Sequence, residues 1–334
     1  MKIDIHTHIM PPVMPNWVQK FGYGEFIHLE HRNCKACMMK GDKVFREVEE
    51  NCFDDSARLK DMKDTGVTTQ VISTIPVLFN YWARPKDGHE TSRFLNDHIA
   101  ETVDKNNKKF IGIGTVPLQD VDLAIKEMER CIVELKMPGL EIGTNINGRN
   151  LNEKDLFPFY KRAEELGCSL FIHPWEMMGE KDMSQYWLPW LVGMPAETTR
   201  AICSLAFGGV FETFPGLRIA FAHGGGSFPY TLGRISHGFK VRPDLTQTDN
   251  KTDPADYLGR FWVDSLVHDK QSFTFLRETI GDDKICMGSD YPFPLGEHHP
   301  GELIESLHLS PVENHKLLYK NAIEWLGIKP EALI

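Results

Sequence analysis

Missing from this 334-residue chain is any apolar run approaching the ~20 residues that a bilayer-spanning helix needs, so no membrane span is expected. The N-terminus has no basic stretch leading into an apolar one and is already patterned as a strand. Cysteine is scarce. Seven residues, an odd number spread thinly, make no disulfide framework, and a cytoplasmic protein with reduced thiols is expected. Lys and Arg are outnumbered, 37 against 47 Asp and Glu, for a formal net charge of -10. That balance argues against nucleic acid or an anionic membrane surface as partner, and an anionic small substrate would need locally placed Arg or Lys. No G-x-S-x-G nucleophile elbow occurs, so His223-Gly-Gly-Gly does not read as the oxyanion strip of an esterase. Its glycines suit close backbone approach, or a tight turn into a helix starting near Phe228. A P-loop and a dinucleotide fingerprint are absent too.

What is present is an alternation of short apolar runs with longer helical patterns. The runs are Lys2–His6, Thr68–Ile75, Phe110–Val116, Leu140–Ile142, Ser169–His173, Leu217–His223, Phe261–Ser265 and Ile285–Ser289. Each is bounded by Gly, Pro or polar residues, as buried parallel strands are. Helical spacing covers Asp54–Thr65, Asp120–Leu135, Asn152–Leu166, Pro195–Leu205, Lys270–Ile280 and Pro311–Leu326, with Gly66, Gly167 and Gly208 as stops. This predicts an α/β fold, a (β/α)₈ TIM-type barrel, as one domain over 1–334. Pro11 to Cys52 breaks the alternation and reads as a small inserted cap, 11–52, after strand one. Trp175–Gly193, rich in Trp and Met, is a second elaboration, after strand five.

Four addresses coincide in such a barrel. His6 and His8 end strand one, His173 ends strand five, His223 ends strand six and Asp290 ends strand eight, so all open onto the C-terminal mouth. Residues two apart in an extended chain point the same way, which lets His6 and His8 share one ion. Imidazole and carboxylate together suit zinc with an open position for water. Strand four ends Leu140-Glu141-Ile142-Gly143-Thr144 with no Lys or His to bridge a second ion, which favours one metal. A lone His in an apolar run is ordinarily a hydrogen-bonded core residue; strand-end placement sets these apart. His28, His31, Cys34 and Cys37 run at even spacing inside the insertion, without the long loop that lets a zinc finger close, and a second zinc site is not expected there.

HxH on strand one, His on five and six and Asp on eight resemble the amidohydrolase superfamily. Longer strings narrow the likeness: His173-Pro-Trp-Glu-Met-Met, Tyr186-Trp-Leu-Pro-Trp-Leu-Val-Gly-Met-Pro-Ala-Glu-Thr-Thr, Ala222-His-Gly-Gly-Gly-Ser-Phe-Pro, Gly233-Arg-Ile-Ser-His-Gly-Phe and Gly288-Ser-Asp-Tyr-Pro-Phe-Pro-Leu-Gly-Glu. With Lys43-Val-Phe-Arg46, they resemble the α-amino-β-carboxymuconate-ε-semialdehyde decarboxylase family over essentially the whole chain. Glu176 departs from the pattern, which has Asp after His-Pro-Trp. The resemblance implies one Zn²⁺ per subunit on His6, His8, His173 and Asp290, with His223 as general base beside the metal's water. It implies that Arg46 holds one substrate carboxylate and that Arg234 holds the other from the neighbouring subunit of a homodimer. Trp190 and Phe293 would line the pocket, and Lys40 would add charge to it. The implied reaction is non-oxidative decarboxylation of a linear dicarboxylate semialdehyde, in tryptophan or 3-hydroxyanthranilate breakdown. Two paired Arg suit such a substrate, because guanidinium binds carboxylate bidentately. The alternatives are a metal-dependent decarboxylase or hydrolase of the same superfamily acting on an aromatic acid or lactone, and a closed structural zinc site without catalysis.

Overall fold

A computed structural model describes residues 1–330 except 33, 34 and 107. Eight parallel strands run in chain order around one sheet: β1 (Ile3–Ile9), β2 (Thr69–Thr74), β3 (Phe110–Gly114), β4 (Gly139–Gly143), β5 (Ser169–His173), β6 (Arg218–Phe221), β7 (Trp262–Asp264) and β8 (Ile285–Cys286). The sheet closes on itself. Ile5 N–H donates to the Met287 carbonyl at 2.9 Å and His8 N–H to the Tyr291 carbonyl at 2.8 Å, leaving the ends no free edge. The barrel read from the alternation is therefore the fold. Inside it, Ile3, Ile5, Val71, Ile113, Phe171 and Cys286 are buried together and make an apolar plug, and the ring of His6 stands on Phe171 with centroids 5.0 Å apart.

Strand limits differ from expectation where function intrudes. β1 continues to Ile9, so His6 and His8 lie within it, and a register shift between Asp4 and Thr7 re-aims the chain at His6. β6 stops at Phe221 and β8 at Cys286. His223 and Asp290 lie beyond the ladder in left-handed backbone, with φ of 56° and 58°. Such conformations are costly for non-glycine residues and collect at functional sites.

Helix Pro85–Lys105 escapes the sequence pattern although it is 21 residues long. Its buried face is Gly88, Thr91, Ser92, Leu95, Asn96, Ile99 and Thr102, helical in spacing but mostly small and polar. Hydrophobic periodicity cannot register a face of that composition. Asn96 satisfies itself there through the Thr115 carbonyl and Glu127, both at under 3 Å.

The insertion 11–52 carries a short helix, Trp17–Phe21, and an antiparallel sheet of Ile27–Arg32, Lys35–Lys40 and Lys43–Glu49. Ala36, Met38 and Val48 bury one side of it against Met10, Ile75, Leu78 and Phe293, which seats the sheet at the barrel mouth. In the first of these strands His28 and His31 differ in parity and face opposite sides, so they do not converge on an ion. Cys34 lies outside the described residues.

Candidate metal centre

His6 and His8 come from β1, His173 from the end of β5 and Asp290 from the segment after β8. One ligand atom from each lies within 4.8 Å of all the others, and all four residues are buried. Asp290 Oδ1 is 3.1 Å from His8 Nε2 and 3.4 Å from His6 Nε2. Among the described residues no other group of His, Cys, Asp and Glu is so placed.

The tautomers follow from what each Nδ1 meets. His8 Nδ1 donates to the Thr74 carbonyl at 2.9 Å and His173 Nδ1 to the Pro174 carbonyl at 3.0 Å. Carbonyls only accept, so the proton sits on Nδ1 in both and Nε2 keeps its lone pair. His6 Nδ1 faces Asp264 Oδ2 at 2.6 Å, which holds that ring the same way. Each of the three Nε2 atoms is buried and lacks a hydrogen-bond partner. Three orphaned lone pairs aimed at one point beside a carboxylate are a ligand set, and three nitrogens with one oxygen fit a borderline divalent cation.

Charge around the site is organised for a cation. Burial opposes ionisation of Asp290, but the imidazoles around it, His6 first and then His223 and His8, hold its carboxyl well below the usual range. Burial also opposes a charged His6, yet Asp290 and Asp264 outweigh it and push that ring up to about 10. His8 and His173 go the other way: burial above all keeps them neutral. A cation at the convergence point would replace the proton that His6 otherwise holds.

His223 stands beside this set, not in it. Its Nε2 is 3.8 Å from Asp290 Oδ2, and its ring centroid is 5.2 Å from those of His6 and His173. Two residues not anticipated from sequence hold these groups in place. Asp264, fully buried at the end of β7, accepts His6 Nδ1–H and also the backbone N–H of His223 and Gly224, both at 2.8 Å. Arg58, fully buried on helix Asp55–Thr65, donates to the His8 carbonyl at 2.6 Å and to Thr7 Oγ1 at 3.1 Å. A charged residue inside the apolar run Phe261–Ser265 was the available signal for Asp264; nothing local marks Arg58 among the other charges of its helix. Close approach also needs Gly288, where a Cβ would come within 2.7 Å of Asp264 Cβ and 3.0 Å of His6 Cβ.

Replacing Asp264 with Asn should lower metal affinity by about 10- to 100-fold, since it supports a ligand without being one. A competition titration against a chromophoric chelator measures this, and unchanged affinity would remove Asp264 from the scheme.

The remaining candidates divide. Arg46 from the insertion, with Trp190 and Phe293, lines a narrow cavity of about 30 Å³ together with His8, His173 and Asp290. The guanidinium lies 4.8 Å from the Phe293 ring centroid and 5.6 Å from that of Trp190, and has no ion-pair partner among the described residues. Burial lowers its proton affinity, and the nearby Asp290 charge opposes that. Next to this space a cavity of about 530 Å³ is lined by His223, and Trp190, Met194 and Leu295 border both.

Lys40 is not in either cavity. It ends its strand exposed, 3.5 Å from Glu25 Oε2, and lines with Glu25 and Glu176 an adjoining space of about 200 Å³ that shares Phe45, Val77, Trp175 and Trp190 with the narrow cavity. Lys40 thus stands next to the Arg46 cavity with acidic neighbours, one shell out from the ligand set. Glu176 is not among the four clustered residues, so its departure from the family pattern leaves that set intact. Arg234 is exposed on helix Phe228–Val241 and lines neither cavity of its own chain.

A family model described as amidohydrolase matches residues 3–328. The chain is 52% identical over 332 residues to 2-amino-3-carboxymuconate-6-semialdehyde decarboxylase of Dictyostelium discoideum, covering 99% of this chain and 92% of that protein. It is 37% identical to the Caenorhabditis elegans protein of the same name, covering 99% and 96%. Among solved structures, 5-carboxyvanillate decarboxylase from Sphingomonas paucimobilis superposes with a TM-score of 0.82 at 21% identity, covering 98% of this chain and 99% of that one. That last likeness bears on the fold.

Proposed function

Because this chain belongs to the amidohydrolase family and, within it, to the 2-amino-3-carboxymuconate-6-semialdehyde decarboxylases, we propose that it converts that semialdehyde to 2-aminomuconate 6-semialdehyde and CO₂ without oxidation. The observation that supports the assignment in this chain is Arg46: a guanidinium with no ion-pair partner among the described residues, lining the space bounded by the ligand set. A dicarboxylate substrate supplies the missing partner.

His6, His8, His173 and Asp290 would hold one divalent cation, which we assign as zinc. When bound, it supplies Lewis acidity and brings the pKa of a water toward ~7. His223, beside the four residues that would hold the cation, is placed to accept a proton there and later to return one to the carbon that loses its carboxylate. Its left-handed backbone, held by Asp264 through two N–H bonds, fixes the ring against the ligand set. Arg46, flanked by Phe293 and Trp190, orients one carboxylate so that the bond to be broken stands across the conjugated system. Arg234 of the partner subunit would bind the other carboxylate in a homodimer, a role that its exposure outside both cavities of its own chain leaves open to it. Reduced buried thiols suit a cytoplasmic enzyme of tryptophan or 3-hydroxyanthranilate breakdown.

Purified protein should consume freshly made semialdehyde with loss of its absorbance and release of CO₂. Its kcat/KM should exceed that for resorcylate-type aromatic acids by about 100-fold or more. Arg46→Ala should cost about 100-fold in kcat/KM for the semialdehyde, and Arg46→Lys should recover little of it, because Lys cannot make the bidentate contact. Preference for the aromatic acid, or an Arg46→Ala protein with wild-type kinetics, would assign the site to a different substrate.

A further inference from the structure

Decarboxylation has a proton balance that the ligand set and His223 do not close. The carbon–carboxylate bond breaks, its electron pair ends in a new C–H bond, and CO₂ leaves. Each turnover therefore takes up one proton from solvent. The ligand residues are buried, and His223, 14% exposed, reaches solvent through the cavity that it lines, so the proton that it delivers enters by that cavity.

The cavity of about 530 Å³ that contains His223 is lined mainly by apolar residues. Its titratable lining residues are His223, Tyr230 and His268. Two of the three are imidazoles, the side chain suited to accept and release protons near neutrality, which puts His268 beside His223 in one cavity. His268 is exposed on its outer side and borders the cavity on the other. It makes no hydrogen bond to the other described residues that would occupy its ring. Its position is enforced from both flanks. Asp264 Oδ1 accepts the N–H of Leu266 at 3.0 Å, Asp269 N–H donates to the Val267 carbonyl at 3.0 Å, and the Asp269 carboxylate caps helix Lys270–Ile280. Between these anchors His268 is held in left-handed backbone with φ of 68°. That is a strained conformation for a residue with a β-carbon, maintained next to the loop that also positions His223 and His6.

We infer that His268 is a proton-relay residue, which carries the proton consumed in each turnover from solvent to His223. The inference rests on the decarboxylase reading above. Burial and the His223 ring lower the proton affinity of His268, while Asp264, Asp290 and Asp269 act in the opposite sense.

The test uses the metal-loaded protein and His268→Asn, since Asn accepts left-handed backbone at low cost and cannot relay a proton. His268→Gly serves as the second variant should Asn disturb the loop. In dilute buffer at neutral pH, kcat should fall about tenfold, with KM and metal content unchanged. The loss should grow as pH rises and free protons become scarcer, and the solvent deuterium isotope effect on kcat should increase. Tens of millimolar imidazole should restore most of the rate in the variant and leave wild type unaltered. A wild-type kcat and isotope effect in both variants would overturn the relay, and so would a loss that raises KM and resists imidazole. Wild-type protein that releases no CO₂ from the semialdehyde would instead overturn the decarboxylase reading on which the relay depends.

Discussion

Stripping the divalent cation from the purified protein abolishes CO₂ release from the semialdehyde, and adding zinc back restores it; this is the largest effect expected. Losing the Lewis acid removes several kcal/mol of transition-state stabilisation, which is at least about a thousandfold in rate. The fold should survive, because the ligands hang on a barrel whose closing hydrogen bonds and apolar plug contain no metal. Chelation should become easier as pH falls. Protons compete with the cation for the orphaned Nε2 atoms of His6, His8 and His173, so apparent affinity drops in acid and rises toward neutral pH. The measurements are metal content, circular dichroism and semialdehyde decay on the same sample. Full activity in metal-free protein would dissolve the proposed chemistry, and loss of the fold on chelation would turn the centre into a structural site.

His223→Ala should separate catalysis from metal binding. The side chain lies next to the ligand set, with Nε2 3.8 Å from Asp290 Oδ2, and contributes no atom to the four-residue cluster. Removing it should leave one cation per chain while kcat falls about 10²- to 10⁴-fold, the usual worth of a positioned acid–base group. Asp290→Asn makes the contrast, because it should lose the cation and the activity together. A His223→Ala protein that turns over at near wild-type rate, or that purifies without metal, would move His223 out of its assigned role.

Much of this was readable before any coordinates. The barrel strands were visible because buried parallel strands are short apolar runs between breakers, and Ser169–His173 and Lys270–Ile280 match their observed limits residue for residue. Helix Pro85–Lys105 was not, because its inner face is built of Gly, Thr, Ser and Asn. The insertion's length was plain but its antiparallel sheet was not, since Ile27–Arg32 mixes charge, imidazole and aliphatics in no clean alternation. Lys40 and Arg46 look equivalent as cations in the sequence. Their partners separate them: Lys40 has Glu25 at 3.5 Å, whereas Arg46 lies over aromatic rings with no ion-pair partner among the described residues.

The linear order of residues by itself determined the barrel and which residues, His6, His8, His173 and Asp290, meet at its mouth, because closed parallel topology sends every strand's C-terminal end there. Which nitrogen of each imidazole carries the proton, how Asp264 ties His6 to His223, and where Arg58 anchors His8 were decided only in three dimensions. Those contacts join residues tens to hundreds of positions apart, and hydrogen-bond geometry over such separations exists only once the sheet has closed.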